Sequence, residues 1–224
     1  MDDKVRINST IEISQMKSTW RSSLYFFLYR TTEIFISCLL LILFSPVLLV
    51  ICLVLLFEND GSIFFFQERV GKNGKPFTIW KFRTMTKNTP PVTLDSSNWH
   101  YGVPDDFIYK SGPGSTVTTS GKWLRKTSLD ELPQLINVLK GDMSFIGPRP
   151  ETLNIAKFYN NYQKQRLLVK PGITGYAQVN GRANLSHGYK IYYDLYYVKH
   201  HSLKLDIKII WQTCIQVIKT NGAY

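Results

Sequence analysis

From residue 34 to residue 57 the chain is nearly unbroken apolar sequence, interrupted only by Ser37, Ser45 and Pro46. As one straight helix this block would reach roughly 36 Å, enough to cross a hydrocarbon core of roughly 30 Å. A cleaved leader is a poor reading, because the run is too long, starts too late and is followed by no small-residue cleavage site. Two membrane arrangements remain: a single crossing, or a bent hairpin that enters and leaves by one face. Pro46 removes a backbone donor and clashes with the preceding turn, which favours a kink or break at Ser45-Pro46. Each half of a broken helix reaches only about 18 Å, too short to cross alone. Spanning helices nevertheless tolerate a kinking proline. The flanking positive charges are balanced, with Lys17, Arg21 and Arg30 before the block and Arg69, Lys72 and Lys75 after it, as expected if both ends lie on one side. Taken alone, the residues leave both arrangements open. Arg30 and Glu33 share a helix face at the entry point, set to meet headgroups or to pair with each other.

The 224 residues leave room for one domain of moderate size beside this block. Lys and Arg total 27 against 16 Asp and Glu, a formal charge of +11 that favours polyanionic partners. Nucleic acid, anionic headgroups and pyrophosphate substrates all qualify, so a membrane-tethered nucleic-acid-binding protein is the alternative reading. That reading asks for a continuous basic face with exposed aromatics. Here the notable arginines sit singly in Pro/Gly turns, which favours a small-anion site. Cys38, Cys52 and Cys214 form no C-x-x-C pair. Neither a disulfide framework nor a zinc site is expected, and free, buried thiols suit a reducing cytosol.

The domain boundaries follow from these patterns: a polar tail over 1–23, a membrane-embedded segment over 24–60, and a domain over 61–224. Residues 62–85 read as a β-hairpin around Gly71-Lys72-Asn73-Gly74, which contains the Asn-Gly signal. Phe64, Phe65 and Phe66 are either interfacial or core. Residues 86–115, rich in Pro, Ser, Gly and Asp, read as a long loop or a lid over a site. Helical pattern resumes at Ser128, ends near Gly141, restarts after Pro150 and recurs over 185–198. Over 203–218, Leu203, Ile207, Ile210, Trp211, Cys214 and Ile218 form one apolar helical face, fit either for the membrane plane or for the core. His200-His201 lacks a third ligand, and the tyrosines from Tyr189 to Tyr197 read as core or interface.

The chemistry concentrates in residues 122–151. Ser128, Asp130 and Glu131 match a capping box, with Ser128 as N-cap and Glu131 at the third helical position. Paired carboxylates in a first helical turn are common for structural reasons, because they complement the backbone dipole. They are also groups that bind Mg²⁺ or attack phosphorus. Arg125 precedes the pair, Arg149 sits between Pro148 and Pro150, and Arg182 follows Gly181. Arginine grips phosphate through paired hydrogen bonds, and a rigid Pro/Gly setting fixes its backbone. Residues 170–175, Lys-Pro-Gly-Ile-Thr-Gly, offer either close backbone approach to a ligand or a tight turn between core elements. No P-loop, dinucleotide fingerprint or H-E-x-x-H motif appears.

From residue 30 onward the chain resembles the bacterial sugar transferase family, the monotopic phosphoglycosyl transferases. The matching pieces are Ser45-Pro46, FFQERVG at 65–71, FTIWKFRTM at 77–85, LRKTSLDELPQ at 124–134, NVLKGDMS at 137–144, GPRP at 147–150 and the stretch 170–182, with Asp194, Tyr197 and Asp206 in family positions. The resemblance implies an α+β, mostly helical fold: a re-entrant membrane helix-break-helix, a small β-hairpin and a cytosolic helical domain with interfacial amphipathic helices. That domain would rest on the cytoplasmic face of the bacterial inner membrane.

It further implies transfer of a sugar 1-phosphate from a UDP-sugar to undecaprenyl phosphate with release of UMP, the first membrane step of capsule, exopolysaccharide or glycoprotein glycan synthesis. Asp130 would be nucleophile and Mg²⁺ ligand and Glu131 its catalytic partner, with Lys81, Arg125, Arg149, Arg182 and Asp206 at substrate-binding positions. The expected partners are the UDP-sugar, undecaprenyl phosphate, inner-membrane lipids and a second copy in a homodimer, not nucleic acid. The chain departs from the family at Thr116 and Thr119, where a basic residue is frequent, and at Glu151, where many relatives are apolar.

Overall fold

The computed structural model describes residues 23–58, 63–86, 95–109, 117–181 and 185–219. The expected tail over 1–23 falls almost wholly outside them. Helix α1 (Ser23–Leu43) and helix α2 (Ser45–Glu58) share the apolar block, and the break falls where the sequence places it. Pro46 has no N–H for the Ile42 carbonyl; the Ser45 hydroxyl donates to that carbonyl instead, at 2.8 Å. Neighbouring backbone bonds persist, from Phe44 N–H to Leu40 and from Leu48 N–H to Phe44. Among the described residues, only the helix over 26–43 is long and apolar enough to cross a membrane. Most apolar side chains of both helices face outward, including Leu39, Ile42, Leu43, Leu49 and Val50.

Both helices dock on the same domain. Arg30 of α1 donates to the Val138 and Leu139 carbonyls at 2.7 and 2.8 Å, capping the end of a helix beneath it. Ile51 and Leu55 of α2 bury against Phe82 and Leu124. Glu58 at the end of α2 accepts the Ser120 N–H at 3.2 Å.

Strands β1 (Phe64–Val70) and β2 (Pro76–Phe82) form the expected antiparallel hairpin, in register from Phe64 with Phe82 to Val70 with Pro76. Asn73 and Gly74 carry φ of 57° and 79° in its turn, the left-handed pair that makes Asn-Gly favourable. Residues 95–109 are no lid where they are described: Trp99 and Val103 bury with Val70, Ile155, Tyr159, Ile191 and Leu195 in one core cluster. Two large apolar side chains in this loop explain the outcome, since they stabilise more inside than over a solvated site.

Helix α3 (Thr119–Thr127), absent from the sequence reading, leads to α4 (Gln134–Lys140). Strand β3 (Ser144–Ile146) pairs in parallel with β4 (Gly172–Thr174). Between and after them lie short helices α5 (Leu153–Ala156), α6 (Asn161–Lys164) and α7 (Tyr176–Val179), then α8 (His187–His200) and α9 (Leu203–Ile218). The glycines of 170–175 serve backbone packing. A Cβ at Gly172 would lie 2.1 Å from the Gly147 nitrogen, so the two loops touch chain to chain.

Helix α9 spans the residues its periodicity predicts. Its apolar face is turned outward: Leu203, Ile207, Ile210, Trp211 and Ile218 are exposed, while Ile209 and Asp206 point inward. Tyr189 and Tyr192 of α8 are exposed as well. The three cysteines are free thiols, but Cys38 and Cys214 are exposed rather than buried, because they fall on these outward apolar faces.

Candidate active site

Asp130 and Glu131 do not open a capped α-helix. Ser128 adopts left-handed φ and ψ of 58° and 16°, closing α3, and its side chain caps nothing. Its N–H instead bonds back to Arg125 and Leu124. Residues Leu129–Glu131 form a 3-10 turn before Pro133 starts α4. The capping-box expectation fails because Glu131 has stronger partners. Its Oε1 accepts Lys81 Nζ at 2.8 Å and Arg149 NH2 at 2.7 Å. Two cations at charge-assisted distance outweigh one neutral backbone N–H.

Lys81 arrives through β2, and Asn137 fixes that strand. Fully buried in α4, Asn137 receives the Trp80 N–H at 3.0 Å and donates to the Thr78 carbonyl at 2.7 Å. The amide thus mimics a neighbouring strand on the free edge of β2. Helix α4 follows Glu131 by three residues, so the same contact sets Lys81 against the carboxylate. Arg149 arrives through the 147–150 loop, held from below by Arg166. That buried guanidinium donates to the Arg149 carbonyl at 2.8 Å and to the Tyr159 hydroxyl at 2.6 Å, and pairs with Asp194 at 2.7 Å. Arg149 itself remains half-exposed, with a face left for solvent or ligand. Arg125 is oriented by Thr84, whose hydroxyl accepts its Nε at 2.9 Å.

The two carboxylates are electrostatically unlike. Burial opposes the charge on Glu131, yet Arg149 and Lys81 outweigh it and hold its carboxyl well below the usual range. Burial and then the Glu131 charge push Asp130 up to about 6, against the opposing pull of Lys81, Arg149 and Arg125. Among the described residues no side chain hydrogen-bonds or ion-pairs with Asp130. Lys81 is lowered by burial, with Glu131 opposing. The pair thus divides into a carboxylate neutralised in place and one left open within a field of three cations.

Of the expected site residues, Asp130, Glu131, Lys81, Arg125 and Arg149 converge. Arg182 and Thr116 lie outside the described residues. Asp206 is buried at the first turn of α9, where it accepts the Tyr197 hydroxyl at 2.9 Å and approaches His201 Nε2 at 3.3 Å. Thr119 is the exposed first residue of α3. Glu151 joins the support beneath Arg149, 3.8 Å from Arg166. Among the described residues no group of three His, Cys, Asp or Glu side chains is placed to hold a metal. Asn137 and Arg166 escaped the sequence reading; a polar residue amid the apolar run of α4 was the available signal for the first.

Five charged side chains, Asp130, Glu131, Lys81, Arg125 and Arg149, converge at one small site mounted against a broken apolar helix. Comparison with known proteins agrees with the motif resemblance. The family model for bacterial sugar transferases matches residues 24–220, and the chain belongs to that family. It is 38% identical over 206 residues to an undecaprenyl-phosphate galactose phosphotransferase of Salmonella typhimurium, covering 88% of this chain and 42% of that one. It is 39% identical to a UDP-glucose:undecaprenyl-phosphate glucose-1-phosphate transferase of Klebsiella pneumoniae, covering 87% and 41%. Against an exopolysaccharide production protein of Sinorhizobium fredii identity is 35%, over 87% of both chains. The chain therefore spans about two-fifths of the first two relatives and most of the third.

Proposed function

We propose that this chain is a phosphoglycosyl transferase that moves a sugar 1-phosphate from a UDP-sugar to undecaprenyl phosphate through a covalent intermediate on Asp130. The observation that carries the reading is the asymmetry of the carboxylate pair: Glu131 is saturated by Lys81 and Arg149, while Asp130 is open and raised to about 6. At neutral pH Asp130 is mostly ionised yet more basic than an ordinary aspartate, which suits a nucleophile. The names of the relatives support the substrate classes.

A carboxylate oxygen of Asp130 attacks the phosphorus that bears the sugar. The bond from that phosphorus to the bridging oxygen breaks, and UMP leaves with the electron pair. An oxygen of the polyprenyl phosphate then attacks the same phosphorus, breaks the acyl phosphate and restores the carboxylate. Arg149 and Arg125 stand beside the transferring group and offset its developing charge. Glu131 keeps Lys81 and Arg149 in place rather than titrating. Asp130, whose carboxylate is left open, would be the residue to hold Mg²⁺, which would supply further charge neutralisation.

The helical hairpin gives this chemistry its place. Both α1 and α2 dock on one domain, as a re-entrant helix requires, and the outward faces of α9 and α8 suit an interfacial seat on the cytoplasmic leaflet. The test is to mix enzyme and UDP-sugar without lipid acceptor. UMP released once per enzyme, with sugar phosphate retained on Asp130 and lost in Asp130→Asn, is the expected result. Release only when the acceptor is present would overturn the covalent route.

A further inference from the structure

Beside the entry of α1 lies an open cleft, lined by none of Asp130, Glu131, Lys81 or Arg125. Phe26, Ile146 and Val169 give it an apolar wall; Arg30, Lys72, Lys170 and Glu33 give it charge. Glu33 is informative because its side chain is 5% exposed, one oxygen pairs with Arg30 at 3.2 Å, and Oε1 has no partner among the described residues. A buried carboxylate oxygen beside a cleft is a place for a donor to fill. Arg30 is already committed to carbonyls of α4. Lys72 is exposed on the hairpin turn, and Lys170 is half-buried. Burial and the charges of Arg30 and Lys72 hold the Lys170 ammonium below its usual range, so the mouth of the cleft gains from an anion.

We infer that this cleft binds the headgroup of a membrane phospholipid, taking its phosphodiester on Lys72 and Lys170 and a headgroup N–H or O–H donor on Glu33. One end of the site asks for negative charge and the other for a donor, with an apolar wall beside the membrane helix for the acyl chains. Bulk anionic attraction explains neither the buried carboxylate nor the cleft. The inference rests on the membrane seating argued above.

The experiment places the full chain in nanodiscs of phosphatidylcholine alone, or with added phosphatidylethanolamine or phosphatidylglycerol, and counts lipids retained after detergent extraction by native mass spectrometry. Phosphatidylethanolamine should be retained best and phosphatidylcholine, which has no headgroup donor, least. Lys72→Glu, on an exposed turn, should lower retention about tenfold, and Glu33→Gln should erase the preference for ethanolamine. Equal retention of all three headgroups, or retention indifferent to Lys72→Glu, overturns the inference. So does displacement by inorganic phosphate alone, which would make the site one for free anions. Displacement by undecaprenyl phosphate with a matching loss of UMP release also overturns it, because the cleft would then hold the acceptor. UMP release measured without acceptor on the same samples keeps the two readings apart: normal release with no selective retention sinks only the lipid site, and retention without any release sinks only the transferase reading.

Discussion

Glu131 and Lys81 act on Asp130 with opposite sign, and that opposition is measurable. Asp130 is raised to about 6 from an ordinary 3.8, which is about 3 kcal/mol against its ionisation. The Glu131 charge contributes to that rise and Lys81 opposes it. A neighbouring unit charge in a partly solvated site is worth roughly 1 to 2 kcal/mol, or about one pH unit. On the proposed covalent route the ionised form of Asp130 is the attacking one, so the rate should fall as pH drops through its pKa. Glu131→Gln should move this acid limb down to about pH 5, and Lys81→Met should move it up to about pH 7. Both variants will be slow, so the assay is single-turnover UMP release across pH, read for the position of the limb rather than its height. The reasoning is refuted if both limbs stay near that of the unmodified enzyme, or if they move in the same direction.

Three further substitutions test the scaffold. Leu55→Ala removes a side chain with no exposure from the contact between α2 and the domain. It should cost about 2–5 kcal/mol in thermal unfolding in micelles, and a change near zero would mean that α2 is not docked. Asn137→Ala strands the Trp80 N–H and the Thr78 carbonyl. It should cost about 2–4 kcal/mol and slow UMP release as Lys81 loosens; unchanged release would remove Asn137 from the positioning argument. Gly172→Ala drives a Cβ into the Gly147 backbone and should give little folded protein, whereas normal yield and melting would contradict that packing.

The parts legible in sequence are those decided by neighbours in the chain. Asn73-Gly74 specifies its own turn, Ser45-Pro46 breaks its own helix, and the 3.6-residue spacing of 203–218 defines α9 to the residue. The parts that were not legible depend on distant partners. Ser128 looked like an N-cap because its neighbours fit one, but Lys81 and Arg149, 50 and 18 residues away, claim Glu131. Helix α3 was missed because its polar sequence carries little periodic apolar signal; Leu124 and Gly121, against Phe82 and the Thr84 carbonyl, secure it. Residues 95–109 have loop composition, yet two well-placed apolar side chains pull them into the core. Convergence of Lys81, Arg125, Asp130, Glu131 and Arg149 was expected from motif order alone.

Helices α1 and α2 are wired into the site itself. Arg30 grips the last carbonyls of α4, α4 holds β2 through Asn137, and β2 delivers Lys81 to Glu131. On the other side, Leu55 of α2 packs against Leu124 in a cluster that Leu129 and Leu132, flanking the carboxylates, also join. The Asp130-Glu131 turn is therefore supported from one side through α1 and from the other by α2. Arg30→Met would remove two charge-assisted bonds and leave Glu33 buried without its cation, costing about 2–4 kcal/mol given the partial exposure of Arg30. Arg30→Lys should restore little, because an ammonium lacks the planar fork that spans two carbonyls. Both variants should melt earlier and release UMP more slowly in single turnover, even in detergent, where no bilayer is left to be tethered to. Were Arg30→Met to release UMP at the unmodified rate, the site would be organised without its anchor, and the hairpin would be an attachment and nothing more.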